Sequence, residues 1–368
     1  MINKLTRYKV WLEIDEKAVA HNIKVFRQII GEKIGLWSVV KSNAYGHGLV
    51  LFSKLAEEGV DGFCVDSVVE GLKLRREGIK KPILVLGPTL PPLYSIAKKF
   101  NITISISNIE GLKALTLAKN KPNFHLKIDT GMHRQGFYPE EINKIIRLLG
   151  NWKLKIGNSP KGIYSHFASA KDINYPSFNE LQFSKLQIAN SKLEGAGFKN
   201  LKKHISATAG TLINPKYHLD MIRIGIGLYG LWPSKELEIQ LGDKIKLKPA
   251  LAWFALISEI KKVKKGDYIG YDLTERIHKD GKIAIVPIGY WHGLPRSLSS
   301  IGEVWVKNQP ARIMGRVSMD LIVIDILNIN CKVGDEVEIK PMEIAQKTNS
   351  SHYEIITRIN PLIKKIAV

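Results

Sequence analysis

The sequence predicts a (β/α)8 barrel of the TIM type followed by a mainly β C-terminal domain. Three observations carry this: the first two-thirds alternate strand and helix signals, the strand signals number eight, and the texture changes after about Pro233. The helix signals are apolar residues at helical spacing, as in DEKAVAHNIKVFRQII, SKLAEEG and VVEGLKLRREG. The strand signals are short apolar runs: GLWSVVK, DGFCVDS, PILVLGP, NITISIS, NFHLKID, KGIYSHF, LKKHISA and MIRIGIGLYG. Strands separated by helices pair in parallel through right-handed crossovers. Eight such units in roughly 200 residues close into a barrel. A doubly wound open sheet would need a Gly-rich dinucleotide turn after its first strand, and G-x-G-x-x-G is absent there.

After Pro233 the runs ALAWFALISEIKKV, GDYIGYD, KIAIVPIGY, EVWVK, ARIMGR, LIVIDI and DEVEIK are divided by Gly, Asp, Asn and Pro, which marks an antiparallel β domain. A helix near MEIAQKTNSSHYEIITRI interrupts it. The expected organisation is an N-terminal strand in residues 1–14 that joins the C-terminal domain, a barrel over 15–240 and a β domain over 241–368.

The 368 residues are 45% hydrophobic and 24% charged, an ordinary globular composition. No apolar run reaches the roughly 18 residues that span a bilayer, and the N-terminus shows no signal-peptide core. A cytoplasmic protein without membrane partners is expected. Cys64 and Cys331 lie too far apart in sequence for a metal-ligand spacing, so no metal and no disulfide framework are expected. The net charge of +21 comes from lysines spread along the whole chain. No Arg-rich tail or basic stripe interleaved with aromatics accompanies it, so nucleic acid is not an expected partner. An anionic, phosphate-bearing ligand is compatible with it.

Barrel active sites lie at the C-terminal ends of the strands. Those ends carry Lys41, Asn43 and Tyr45 in VVKSNAYGHG; Asp129, Thr130 and Arg134 in LKIDTGMHRQG; His166 in YSHFASA; Ser206 and Thr208 in HISATAG; and Arg223 inside MIRIGIG. Each has an ordinary explanation alone. Lys41 can snorkel to water, His166 can be structural, and Arg223 can pair with a carboxylate such as Asp220. Their convergence on one rim points to cofactor chemistry. A lysine amine forms a Schiff base with an aldehyde. Hydroxyls and glycine-exposed N–H groups hold phosphate, for which Tyr45, Ser206, Thr208, Gly225 and Ile226 are candidates.

These motifs resemble the alanine racemases. VVKSNAYGHG is similar to that family's pyridoxal-phosphate attachment motif. LKIDTGMHRQG, YSHFASA, MIRIGIGLYG, IGYDLT, VPIGYWHGLPR, MGRVSMDLIVID and the N-terminal LEIDEKAVAHNIKVFR resemble further family segments in the same order, from about Trp11 to Val368. The resemblance implies pyridoxal 5'-phosphate as cofactor, a small amino acid as substrate and a homodimer with shared active sites. It also implies roles. Lys41 carries the cofactor and serves as one acid–base group; Tyr271 is the other, acting in the partner subunit. Arg223 donates to the pyridine nitrogen, and His166 links Tyr271 to Arg223. Tyr45, Thr208, Gly225 and Ile226 hold the phosphate. Arg134 and the Met319 backbone bind the substrate carboxylate, with Tyr290 and Asp320 beside the substrate. Lys127 stands where some members carry a carbamylated lysine.

The chain departs from the family pattern at His133, at Trp291–His292 and at Thr208, where serine is usual. It departs also at Arg358, where some members carry a phosphate-binding tyrosine. The implied reaction is interconversion of L- and D-alanine for peptidoglycan. A racemase of broader specificity, for example for serine, stays open. So does a decarboxylase of the same architecture, although those place an acid, not an arginine, at the pyridine nitrogen. A non-enzymatic pyridoxal-phosphate carrier would lack the domain bearing Tyr271.

Overall fold

The computed structural model describes residues 8–156, 159–171 and 173–368. The chain forms two compact units. One comprises Lys17–Ala44 and Phe52–Pro249. The other comprises the described residues up to Glu16, Tyr45–Leu51 and Ala250–Val368. Strands are numbered along the chain, β1 being Val10–Ile14.

The first unit is the predicted parallel barrel. Its strands are β2 (Gly35–Val39), β3 (Gly62–Val65), β4 (Ile83–Pro88), β5 (Ile102–Ile106), β6 (Phe124–Lys127), β7 (Gly162–Tyr164), β8 (Lys202–His204) and β9 (Met221–Ile224). Their spatial order is β8-β7-β6-β5-β4-β3-β2-β9, every neighbour parallel. The remaining gap between β8 and β9 is bridged by Asp220 N–H donating to the Lys203 carbonyl and Arg223 N–H to the Ser206 carbonyl, both at 3.0 Å. The strands are almost wholly buried, as expected for a sheet covered on its outer face by helices and filled within.

Helix Glu16–Ile30 shows how the sequence places the covering layer. Ala18, Val19, Ile23, Phe26 and Ile30 recur at helical spacing and form its buried face. Asn22 lies in the same stripe, and its amide is fully engaged. Nδ2 donates to the Leu228 carbonyl at 3.2 Å and the Lys248 carbonyl at 2.8 Å, and Oδ1 accepts from Lys248 N–H at 2.9 Å. A buried amide is tolerated only when so satisfied, and here it ties the helix to the chain that leaves β9.

The second unit is mainly β, with strands β10 (Leu251–Leu256), β11 (Glu259–Val263), β12 (Tyr268–Ile269), β13 (Glu275–Arg276), β14 (Gly281–Val286), β15 (Glu303–Val306), β16 (Gln309–Met314), β17 (Ile322–Asp325), β18 (Glu336–Ile339) and β19 (Lys364–Ala367). Nine strands form one sheet in the order β11-β14-β17-β16-β15-β18-β10-β1-β19, and β12 and β13 form a separate hairpin. The N-terminal β1 runs antiparallel to β10 and parallel to β19. Its Leu12 packs with Trp253, Ala255, Val337 and Ile339 in the unit's core. No helix among the described residues is long and apolar enough to cross a membrane.

Candidate active site

Lys41 follows β2 directly at the barrel rim, half-buried, and its amine has no polar partner among the described residues. The chain after it is unusual. Ser42, Asn43, Ala44 and Tyr45 have φ of 55°, 57°, 52° and 51°, a left-handed turn built without glycine. Such a turn costs about 1–2 kcal/mol per L-residue and persists only where surrounding contacts hold it. Glu70 provides them: one carboxylate oxygen accepts from Ser42 N–H at 2.7 Å and the other from Asp66 N–H at 2.8 Å. One carboxylate thus clamps the ends of two neighbouring strands. Ala44 N–H donates to the Val40 carbonyl at 2.8 Å, closing the turn on the strand.

At the end of β6, Asp129 is a loop organiser. Its Oδ1 accepts from the N–H groups of Gly131, Met132 and His133, and its Oδ2 from Arg134 N–H. Although partial burial opposes ionisation, these four donors hold the carboxyl below the usual carboxylate range. Gly136 is required here. Its φ is +140°, and a Cβ would lie 2.5 Å from Asp129 N. The folded loop presents Arg134, exposed, with no acid on its guanidinium among the described residues. His133 sits at φ 53° with its ring 5.8 Å from that of Tyr138. Thr130 is also structural: its hydroxyl pairs with Ser165 Oγ at 2.8 Å and accepts from Gln182.

Lys127 is buried, and its Nζ donates to Gln135 Oε1 at 2.8 Å. Burial first, then the cations Arg223, Arg134 and Lys41, push its pKa down to about 8. Lys127 therefore senses three cations from the strand ends, Arg223, Arg134 and Lys41. His166 faces the same group: burial, then Arg223, Arg134, Lys127 and Lys41, lower its pKa to about 3. The ring is therefore neutral.

Arg223 is 2% exposed on β9 and has no carboxylate partner among the described residues. Asp220, the acid nearest in sequence, is exposed and accepts from Lys203 N–H instead. The guanidinium donates through Nη2 to the Ser165 carbonyl at 2.9 Å, the Ile205 carbonyl at 3.0 Å and His166 Nδ1 at 3.3 Å. Its Nη1 donates to His204 Nδ1, and its Cζ lies 5.1 Å from the centroid of the Tyr164 ring. An arginine cannot accept a hydrogen bond, so both histidines must present an unprotonated Nδ1. Each then carries its proton on Nε2.

Thr208 opens the helix Thr208–Ile213, and its Oγ1 accepts from Gly227 N–H at 3.2 Å. Gly225 and Ile226 form the turn after β9, their carbonyls taken by the N–H groups of Leu228 and Leu231. What this turn offers a ligand is its N–H side. Gly227 lacks a Cβ where one would come within 2.4 Å of the Phe26 ring, so helix Glu16–Ile30 seats against the bare backbone. Ser206 is not part of this set: its hydroxyl donates to the Tyr217 carbonyl at 2.8 Å.

The remaining predicted residues belong to the second unit. Tyr45 has its ring 6.1 Å from that of Tyr353, and burial, then Tyr45, raises the Tyr353 phenol. Arg358 is exposed and pairs with Glu354 at 2.8 Å. Tyr271 is 68% exposed on a short turn between β12 and β13; the next residue, Asp272, has φ 64° and pairs with Arg316 at 2.8 Å. Tyr290 and Trp291 donate their N–H groups to the Ser318 and Met319 carbonyls, both at 3.0 Å. A Cβ on Gly289 would meet Ser318 O at 2.2 Å, which explains the glycine before Tyr290. Asp320 stands at the far end of the same turn, 4.0 Å from His292. His292 itself is buried and accepts from Gly289 N–H at 3.2 Å, so in its own unit it is a turn-forming residue.

Two family models cover nearly the whole chain: "Alanine racemase, N-terminal domain" matches residues 14–233 and "Alanine racemase, C-terminal domain" residues 250–367. The chain belongs to the alanine racemase family. It is 35% identical to the alanine racemase of Leptospira interrogans over 98% of this chain and 96% of that protein. It is equally identical to that of Methanococcus maripaludis over 98% and 99%. Among solved structures, alanine racemase of Clostridium difficile 630 superposes with a TM-score of 0.91 at 32% identity, covering 98% of this chain and 96% of that one. The Bacillus anthracis alanine racemase, solved with bound L-Ala-P, also gives 0.91 at 32% identity, covering 98% and 95%. Membership makes the chain an isomerase. His204, Glu70 and Tyr164, which motif reading passed over, are the residues that this racemase-family barrel uses to hold the rim in shape.

Proposed function

We propose that the protein is a pyridoxal-phosphate-dependent alanine racemase, a cytoplasmic homodimer that interconverts L- and D-alanine with two proton carriers, Lys41 and the Tyr271 of a second copy, and so supplies D-alanine for peptidoglycan. The observation that carries this is a buried arginine on the last barrel strand that has no carboxylate partner among the described residues, with a lysine at the end of the first barrel strand, in a chain matching the family along its length. The donor set fits the cofactor. Lys41 offers an amine, Arg223 a donor toward a ring nitrogen, and the Gly225–Ile226 turn and Thr208 offer N–H and O–H groups to a phosphate; the family resemblance adds the Tyr45 hydroxyl.

Pyridoxal phosphate, which Lys41 Nζ would hold until the amine of an incoming amino acid displaces it and frees the lysine, would supply the electron sink that makes Cα–H acidic. Lys41 then moves a proton on one face of Cα and Tyr271 on the other, so neither has to cross the plane. His166 carries its proton on Nε2 because Arg223 occupies Nδ1. A phenol oxygen placed at that nitrogen receives a hydrogen bond, which stabilises it when it has lost its proton. Arg134 and the Met319 N–H hold the substrate carboxylate, with Tyr290 and Asp320 shaping its surroundings. Arg223 can only donate, so a ring nitrogen held against it would carry no proton. That restrains charge withdrawal from Cα and disfavours transamination. A decarboxylase of this architecture would set an acid there, and none stands beside Arg223 among the described residues.

Lys127 fits conversion to a carbamate. Attack on CO2 needs the free amine, which burial and the neighbouring cations favour by lowering the pKa to about 8; Nζ would bond the CO2 carbon and release a proton to solvent. The product anion would answer the surrounding Arg134, Arg223 and Lys41. A 13C-labelled carbonyl signal that appears with 13CO2 and is lost in Lys127→Ala is the expected result; identical spectra would defeat it.

The function is tested by a D/L-alanine exchange assay with serine as competitor, alongside the Tyr271→Phe variant in D2O. With Lys41 alone remaining, deuterium should enter Cα of one enantiomer while racemisation falls about 100-fold or more. Exchange into both enantiomers at the parent rate would count against two carriers.

A further inference from the structure

Behind Arg223 the barrel interior holds a second buried histidine. His204 Nδ1 accepts from Arg223 Nη1, and 2.9 Å from His204 Nε2 lies His125 Nδ1. His204 is fully buried and His125 4% exposed. Because His204 must keep Nδ1 unprotonated for Arg223, its proton sits on Nε2 and is donated to His125 Nδ1. His125 in turn must be the Nε2–H tautomer. The His204 ring is held flat on Tyr164, 4.6 Å between centroids and 7° between planes. Tyr164 is fixed by its hydroxyl pairing with Ser105 Oγ at 2.7 Å, and Ser105 donates to the Val85 carbonyl at 2.6 Å. The fold makes room for His125: a Cβ on Gly162 would lie 2.7 Å from its Cε1 and Nδ1.

We infer that His125 is a positioning residue for the reaction: by accepting from His204 it fixes the tautomer of that ring, and so fixes the direction in which Arg223 donates at the barrel rim. The inference rests on the proposed place of Arg223 at the pyridine nitrogen. Without the acceptor at His125, the Nε2–H of His204 is a buried orphan donor, and that state is costly enough to drive the ring to another tautomer or orientation. Either change puts a proton or a carbon against Arg223 Nη1, and the guanidinium loses one of the four partners that orient it. The neutrality of both rings agrees with this. Burial, then Lys202 and Arg223, lowers His125 to about 3, and burial, Arg223, His125 and Lys202 hold His204 well below its usual range. No carboxylate is needed to keep Arg223 in place, since neutral acceptors surround it.

Two measurements decide this. Long-range 1H–15N spectra of the cofactor-free parent at pH 7 should show His125 and His204 both neutral with the proton on Nε2. An imidazolium, or an Nδ1–H tautomer at His204, overturns the relay. In the reconstituted enzyme, His125→Phe removes the acceptor and keeps a planar ring, whereas His125→Gln restores an acceptor oxygen. His125→Phe is expected to shift the cofactor's long-wavelength absorbance band and to raise pyruvate formation relative to racemisation about fivefold, the size of one weakened hydrogen bond. His125→Gln should return both toward the parent. An unchanged band and product ratio in folded His125→Phe, or equal disturbance in both variants, would reduce His125 to packing and sink the proposal. A parent that binds no cofactor would instead defeat the proposed function, and the nitrogen spectra would still decide the relay.

Discussion

Lys41→Ala is expected to lose racemisation by about 10⁴-fold or more while the barrel stays folded. The size follows from two losses at one atom. Lys41 Nζ is both the proposed covalent tether of the cofactor and one of the two proton carriers. The amine makes no polar contact among the described residues, so its removal breaks no hydrogen bond. The left-handed turn after it depends on Glu70 and Val40, not on the lysine side chain. Circular dichroism and thermal melting should therefore match the parent within a few degrees. Added small primary amines should restore part of the rate, because they replace the missing base. Racemisation within tenfold of the parent in Lys41→Ala would remove this residue from the chemistry.

Arg223→Glu is expected to cut racemisation about 100- to 1,000-fold and to raise the pyruvate formed per alanine racemised. The substitution replaces an obligate donor by a group that can share a proton with a ring nitrogen. Charge withdrawal from Cα then deepens, and protonation away from Cα competes better. A structural cost accompanies it. Ser165 O, Ile205 O, His166 Nδ1 and His204 Nδ1 lose their donor together, and all lie in or near the barrel interior. Arg223→Lys separates the two effects. It keeps the positive charge and cannot reach four partners, so it should lose rate without gaining pyruvate. Equal product ratios in the parent, the glutamate and the lysine variants would mean that position 223 does not control partition.

Much of the fold was legible because the barrel repeats one local rule. Each strand is a short apolar run, each covering helix has a buried stripe, and both signals lie within a few residues of each other. The rim residues were legible for the same reason, since strand ends are visible in the chain. Roles that depend on distant partners were not. Asp220 is the acid closest in sequence to Arg223, yet it receives Lys203 N–H, and the arginine instead meets histidines from β8 and from the loop after β7. Asp129 reads as a chemical group and proves to be the acceptor that folds its own loop. His292 reads only as a departure from the family pattern, and it is the structure that shows its ring buried and closing the turn after Gly289.

The amino-acid sequence by itself determined the fold class, the order of the elements and the residue types presented at the strand ends, because these follow from periodicity and spacing along the chain. The tertiary structure alone decided which histidines are neutral, which nitrogen of each carries the proton, and what orients a buried arginine without an acid. The reason is that burial and donor direction at Arg223 arise where β7, β8 and β9 come side by side, and no local pattern records which side chains face each other there.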